Sequence, residues 1–493
     1  MDVVILSSGP DDGHQITPYR TIGAYKIAKA TRDQGYSCQV IDHVMFLSED
    51  QLRQAVFKFV SSDTRVLAVS TTFLGSPKGG RFEAPLINIL NEVTDQYPNV
   101  KLIFGGYGTR YVALNNFAPQ IKKPYAIIQQ YGEDVFVEVL NHIMGRGEEP
   151  AWTMAPVAKT HFGKVIKQYL KPTVEKFNIE TDAFKFSVQD CIMPNETLPI
   201  EISRGCIFKC KFCNHLLLGR GKLDYLRNFE LLREELMHNY ENWGTTNYYV
   251  ICDTFNDTEH KMREWHKMVM SLPFKIQYTA YLRADLLDRF PDVPHMLKES
   301  GLYSCFHGLE SLGVEASTTI GKGWSGKSAR EYIPRLYHDI WGKEVFQTLS
   351  FIAGLPGDTR ASLLTTADWF NSNDLYNMTW HPLGVTPGGD NVKHASEFER
   401  NAHKYGYELG EGFMWRNSYW DYAQAVNYVK TVLNPAIGPR NARHGSWKIL
   451  QLSQFGYTRE DFLKENKYVW QAAETDRRGR LFIEQYMEKL LSL

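Results

Sequence analysis

The sequence is poor in the features that mark secreted, membrane and nucleic-acid-binding chains. No apolar run approaches the ~20 residues needed to span a bilayer. The opening MDVVILSSGP lacks the basic start and longer apolar stretch of a secretory leader. Only seven cysteines occur in 493 residues, an odd number with three crowded together, which argues against a disulfide framework. The net charge is -1, so no global field draws the chain to nucleic acid or to an acidic membrane. Walker loops, G-x-S-x-G elbows and H-E-x-x-H helices are missing. So are internal repeats and low-complexity tracts. These absences leave a reduced, cytoplasmic globular chain with one metal site, no membrane contact and no indication of nucleic acid.

What is present alternates strand and helix patterns twice. In the first stretch, VVILSS, SCQVID, VLAVSTTF, KLIFGG and AIIQQYGED predict strands. Apolar residues at helical spacing fill the segments between them, with Ser48 placed as an N-cap. Such alternation predicts a parallel, doubly wound sheet with ligands beyond the strand C-termini. The rhythm lapses over ~146–190, where turn-rich sequence predicts a linker with some local structure. It resumes at LPIEIS and continues through NYYVIC, KIQYTAY, YSCFHGL, VFQTLSFI and YNMTWHPL. Six strand–helix steps predict a partial (β/α)6 barrel. The fold class is therefore α/β. The expected domains are 1–147, a linker over 148–190, the barrel over 191–388 and a mainly helical C-terminal region, 389–493, covering the substrate.

The stretch SRGCIFKCKFCNH, Ser203 to His215, places Cys206, Cys210 and Cys213 at C-x3-C-x2-C spacing directly after the first barrel strand. Gly205 allows a tight backbone entry. Structural zinc sites are closed by four ligands, and a cubane iron–sulfur cluster normally takes four cysteines. Three cysteines would leave one position open. A zinc ion held by these three and His215 is chemically allowed, but Cys213 and His215 lie only two apart, a poor chelate spacing.

This loop, with aromatic Phe212 before its third cysteine, resembles that of the radical S-adenosylmethionine (SAM) superfamily. The resemblance implies a [4Fe-4S] cluster on Cys206, Cys210 and Cys213, with SAM chelating the fourth iron. It implies one-electron cleavage of SAM to methionine and a 5'-deoxyadenosyl radical, supplied by an electron donor such as flavodoxin or ferredoxin. Further segments fit in order. ICDTFNDT places Asp253 toward the SAM amino group, and YLRADLL places Arg283 among the SAM contacts. GLESLGVEASTTIGKG, Gly308 to Gly323, places Glu310 and Ser311 near the ribose and methionine end. AGLPGDT places Gly354 on the adenine side.

The first domain resembles that of the cobalamin-binding subfamily. Thr71 in STTF, Gly105 and Gly106 in FGGYGT and Gly132 in YGEDVFVEVL are its implied cofactor contacts. Two readings follow: cobalamin bound there, with methyl transfer to an unactivated carbon, or the same domain without it and another radical reaction. The Asp-x-His-x-x-Gly cobalt-ligand motif of mutases is incomplete around Asp12 and His14, because Thr17 replaces the glycine. A second cluster is unsupported, since only Cys38 and Cys191 precede the barrel. Cys252 and Cys305 read as small buried residues. The basic runs PRNARHGSWK and DRRGR read as solvated faces. Trp415, Tyr419, Trp420 and Tyr422 read as a pocket wall or as core packing.

Overall fold

A computed structural model describes residues 1–9, 16–74, 83–106, 120–128, 132–150, 160, 162–169, 178–213, 225–385, 395–410, 414–438, 446–458, 461 and 471–493. Asp12, His14, His215 and the run Pro439 to Arg443 lie outside these residues.

The first sheet is wholly parallel. Its strands are β1 (Val3–Leu6), β2 (Cys38–Ile41), β3 (Val66–Ser70), β4 (Lys101–Gly105), β5 (Pro124–Ile128) and β6 (Lys167–Tyr169), in the order β2-β1-β3-β4-β5-β6. Both faces of β1, β2 and β3 are buried, which is why their sequences are continuous apolar runs rather than alternating ones. Helices α1 (Ile22–Asp33), α2 (Glu49–Phe59), α3 (Glu83–Gln96) and α4 (Gly132–Ile143) make the crossovers. Ser48 caps α2 in a reciprocal capping box with Gln51, as expected from sequence. The strand order reverses between β1 and β3, and in doubly wound sheets ligands bind beyond the strand C-termini at such a switch point. β6 falls inside the expected linker. It is only three residues long and pairs through backbone groups with β5, too short to show an apolar period. The first domain therefore reaches past residue 147.

The second sheet is also parallel and runs in sequence order. Its strands are β7 (Leu198–Ile200), β8 (Asn247–Val250), β9 (Gln277–Leu282), β10 (Leu302–Glu310), β11 (Phe346–Ala353) and β12 (Met378–Pro382). All six barrel strands expected from sequence are present. Helices α5 (Phe229–Trp243), α6 (Glu259–Met270), α7 (Ala284–Arg289), α8 (Val293–Glu299), α9 (Val314–Thr319), α10 (Gly326–Arg335) and α11 (Arg360–Ser372) lie between them. Residues such as Tyr278, Ala280, Leu349 and Phe351 bury one face of the sheet in the main core. On the other face, Tyr281, Phe306, Ile352 and His381 keep solvent exposure.

The C-terminal region divides between the barrel and the first domain. α12 (Tyr422–Tyr428) and the segments before it flank the barrel mouth, with Trp415 and Trp420 in the core and Tyr419 in solvent. α13 (Ser446–Ser453) instead packs against β8 to β11, and its Ile449 and Leu450 share a buried cluster with Tyr303 and Phe346. α14 (Gln471–Ser492) leaves the barrel and packs on α2 of the first domain. The Asp42 amide donates to the Tyr486 hydroxyl at 2.7 Å, and Tyr486 and Leu490 are fully buried. Each such side chain contributes roughly 1.5–3 kcal/mol of burial, which fixes the helix to this face. The DRRGR run lies on α14 and is structural there. Asp476 accepts from the Ile16 amide at 2.8 Å, and Arg477 and Arg478 pair with Glu474.

Candidate functional site

The cysteine loop leaves the C-terminal end of β7, and its two stems are tied together. Arg204 donates its amide to the Tyr225 carbonyl at 3.1 Å, and the Arg227 amide donates to that of Ile202 at 2.9 Å. Gly205, with φ of 89°, turns the chain into Cys206, a left-handed conformation that favours glycine. Two further backbone bonds anchor the far side of the loop. The Lys211 amide donates to the Ile320 carbonyl at 3.0 Å, and the Phe398 amide donates to that of Lys211 at 2.9 Å.

Below the loop, Lys261 on α6 is fully buried and donates to the Ser203 hydroxyl at 2.8 Å, pairing also with Asp257 at 3.2 Å. The Ser203 amide donates to the Cys252 sulfur at 3.3 Å. Cys252 is buried, as expected, and also helps hold the stem of the loop. Cys305 is buried within β10. Phe212 is half-buried against the main core and wedges the loop in place.

All three loop cysteines are free thiols, Cys206 buried and Cys210 and Cys213 half-exposed. Cys206 lies 3.4 Å from the Thr254 hydroxyl. Burial pushes its thiol upward. The Thr254 hydroxyl and the Phe208 amide oppose that, while the charges of Asp257 and Asp253 add to it. Among the described residues, no three His, Cys, Asp or Glu side chains converge tightly enough to hold one metal ion. A single zinc ion needs such convergence. A cubane does not, because each thiolate binds its own iron. The donor set, three thiols on one anchored loop with the Arg283 guanidinium at the Cys210 sulfur, fits a cluster.

The strand ends around the loop carry the other expected residues. Asp253 sits exposed in the bend after β8. Arg283 follows β9 and is buried. Its guanidinium donates to both Asp285 oxygens (3.0 and 2.7 Å), to the Lys322 carbonyl (2.8 Å) and toward the Cys210 sulfur (3.4 Å). It thus engages the cysteine loop and not only open space.

Glu310 ends β10 with φ of 67°, unusual for a residue with a side chain. Its carboxylate pairs with Lys322 at 3.0 Å, and the Lys322 ammonium also donates to the Gly308 carbonyl. Ser311 accepts from the Gly313 amide at 3.0 Å, shaping the turn into α9.

Gly354 follows β11 with φ of 99°, and a Cβ there would lie 2.5 Å from the Trp415 ring. The indole of Trp415 therefore occupies the space this glycine leaves. The Tyr407 hydroxyl donates to the Gly354 carbonyl at 2.7 Å. Asp358 closes the turn by accepting from the Gly354 and Leu355 amides at 3.2 and 2.9 Å, and burial raises its pKa to about 7.

In the first domain Thr71, Gly105 and Gly106 meet at the C-terminal ends of β3 and β4, next to the switch point. The Thr71 amide and hydroxyl both donate to the Gly105 carbonyl, at 2.6 and 3.0 Å. Gly106 has φ of 109°, and a Cβ there would meet the Thr72 hydroxyl oxygen at 2.7 Å. Ser7 and Ser8 complete a rim of small residues, with the Ser7 and Thr21 hydroxyls 3.0 Å apart. Gly132 opens α4 where a Cβ would crowd Ile27 at 3.1 Å, so packing between helices also requires it.

This edge faces the barrel. The Tyr19 ring makes edge contacts with Phe73 (6.5 Å) and with Tyr249 of β8 (5.3 Å). The Tyr249 hydroxyl donates to the Arg20 carbonyl. Tyr19 and Tyr249 escape a motif reading because each is an ordinary residue until the two sheets are brought together, and Lys261 escapes it because its buried bond to Ser203 spans 58 residues. A groove of about 550 Å³ beside Phe274, Lys275 and Glu299 lies at the opposite, N-terminal end of the barrel and is no part of this site.

No family model matches the chain, and no curated protein is significantly similar to it in sequence. Solved structures are similar throughout its length. The radical SAM methyltransferase TsrM from Kitasatospora setae, solved with tryptophan substrate and a SAM analogue, has a TM-score of 0.63 at 14% identity. The similarity covers 98% of this chain and 99% of that one. TsrM with cobalamin and a [4Fe-4S] cluster bound gives 0.62 at 15% identity. The cobalamin-dependent SAM radical enzyme OxsB, with aqua-cobalamin and SAM bound, gives 0.56 at 14% identity over 100% of this chain and 72% of that one. At such identities the likeness is one of architecture, and the chain has, from end to end, the fold of the cobalamin-dependent radical SAM enzymes.

Proposed function

We propose that the chain is a radical SAM enzyme that holds a [4Fe-4S] cluster on Cys206, Cys210 and Cys213 and cobalamin at the switch-point edge of its first domain. Its reaction is methyl transfer to an unactivated carbon. The observation that carries this reading is the three-cysteine loop itself, anchored at the C-terminal end of the first strand of a six-strand parallel barrel.

The chemistry a cluster supplies with SAM on its open iron is one-electron cleavage of SAM to methionine and a 5'-deoxyadenosyl radical, and cobalamin supplies a methyl carrier. The chain's own residues bind and orient. Lys261, Ser203 and Cys252 fix the stem of the loop. Asp253 after β8 and Glu310 and Ser311 at the end of β10 present polar groups on either side of β9 for the amino, ribose and methionine parts of SAM. The Gly354 turn shapes the adenine side, with Trp415 behind it. Thr71, Gly105 and Gly106 form the cobalamin rim. The exposed Lys209 beside Cys210 suits approach by an acidic electron donor of the flavodoxin or ferredoxin type.

Anaerobic reconstitution with iron and sulfide, then reduction with SAM present, tests the reading. Iron binding and release of 5'-deoxyadenosine are expected, both lost in Cys210→Ala. Tightly bound zinc without iron, or bound iron without 5'-deoxyadenosine in the presence of substrates, would overturn it. Retention of hydroxocobalamin after desalting checks the first domain separately.

A further inference from the structure

The geometry points to Arg283 as a positioning residue of the cysteine loop that holds the Cys210 sulfur through a directional N–H···S bond and thereby raises the reduction potential of the cluster carried there. We infer this on the cluster reading above.

Five observations converge. The Arg283 Nη1 lies 3.4 Å from Cys210 Sγ. The guanidinium stacks on the ring of Phe208, which lies between Cys206 and Cys210, at 3.8 Å to its centre. Its orientation is fixed from behind, by both carboxylate oxygens of Asp285 and by the Lys322 carbonyl. The backbone that carries it is clamped too, with Asn256 accepting from the Arg283 amide at 2.8 Å and donating to its carbonyl at 2.9 Å. Arg283 is 5% exposed, so water does not compete for these bonds.

The planar fork matters here. Two parallel bonds to Asp285 lock the plane of the guanidinium and leave the other arm aimed at sulfur. Asp285 also cancels the formal charge, so the effect on the cluster comes from the hydrogen bond rather than from a net positive charge nearby. Hydrogen bonds to cluster sulfurs stabilise the more electron-rich, reduced state and shift its potential upward. Lysine cannot replace this, because a single ammonium cannot keep the paired bonds to Asp285 and reach the sulfur together.

The test is a redox titration of the reconstituted full chain without SAM, followed by electron paramagnetic resonance of the reduced cluster, in wild type, Arg283→Gln and Arg283→Lys. In both variants the reduced-to-oxidised ratio at a fixed potential is expected to fall about tenfold, or about 59 mV for one electron. If Arg283→Gln does not fold, Arg283→Lys decides by the same criterion. Variants that titrate with the wild type overturn the assignment while the cluster reading stands. A wild-type chain that takes up no iron overturns the cluster reading and the assignment with it.

Discussion

Arg204, two residues before the first loop cysteine, pairs at 2.8 Å with Glu133 in the first turn of α4, in the other domain. It also pairs with Glu201 at 2.7 Å, and Glu201 in turn meets Lys26 of α1. The neighbouring cations hold the Glu201 carboxyl well below its ordinary range despite burial. The cysteine loop and the first domain thus share one charged network. Glu133→Gln leaves Arg204 with one carboxylate and weakens the join. A loss of about 1–3 kcal/mol is expected, read as a lower midpoint in urea denaturation. An unchanged midpoint would mean that the pair contributes nothing to the docking.

Gly106 combines a left-handed backbone with close approach to Thr72. Gly106→Val must displace the β3 end that Thr71 ties to Gly105. The expected result is loss of hydroxocobalamin retention after desalting, with far-ultraviolet circular dichroism close to wild type. Retention equal to wild type would remove this turn from the cofactor rim.

Gly354→Ala drives a methyl group into the Trp415 ring at a φ that alanine rarely adopts. Trp415 cannot retreat easily, because its indole N–H donates to the Leu383 carbonyl at 2.7 Å. Destabilisation of about 2–4 kcal/mol is expected, with a blue shift or quenching change in tryptophan fluorescence. A variant as stable as wild type would show that the turn yields.

Asp358 gives a pH signature. Its folded pKa is raised to about 7 by burial, above the ordinary carboxyl value. Between about pH 4 and 7 the folded state therefore binds a proton that the unfolded state has released, and this group's contribution to stability falls as pH rises through that window. Asn is neutral and keeps an oxygen for the Gly354 and Leu355 amides. Asp358→Asn should match wild type near pH 4 and exceed it above pH 7, by a few kcal/mol at most. Melting curves across pH 4 to 8 check this, and a constant difference at every pH would refute it.

The sequence showed these features unequally. The first five strands of the first sheet appear as apolar runs because burial on both faces of a parallel sheet demands them, and the barrel strands appear as apolar-rich segments at regular spacing with one face in the core. The cysteine loop was visible because thiols are rare and spacing is local. β6 was hidden, since three residues cannot carry a period. Asp253 and Glu310 stand out in their motifs, but the Glu310–Lys322 pair depends on a turn twelve residues on. Arg283 read as a residue facing SAM. Its bond to Cys210 spans 73 residues of chain and appears only when the loop after β7 reaches across β8 to the end of β9.

The C-terminal region shows the division most clearly. Its aromatic, amphipathic pattern announced helices, because apolar spacing at 3.6 residues is a local property. It did not say which surface each helix would cover, since apolar faces are interchangeable until shapes and hydrogen bonds discriminate among them. Tyr486 meeting the Asp42 amide across 444 residues decided that α14 caps the first domain. By itself the sequence determined the two parallel sheets and the three-thiol loop, through periodicity and spacing. Only the tertiary structure decided which partners hold that loop, because those contacts arise where distant strand ends meet.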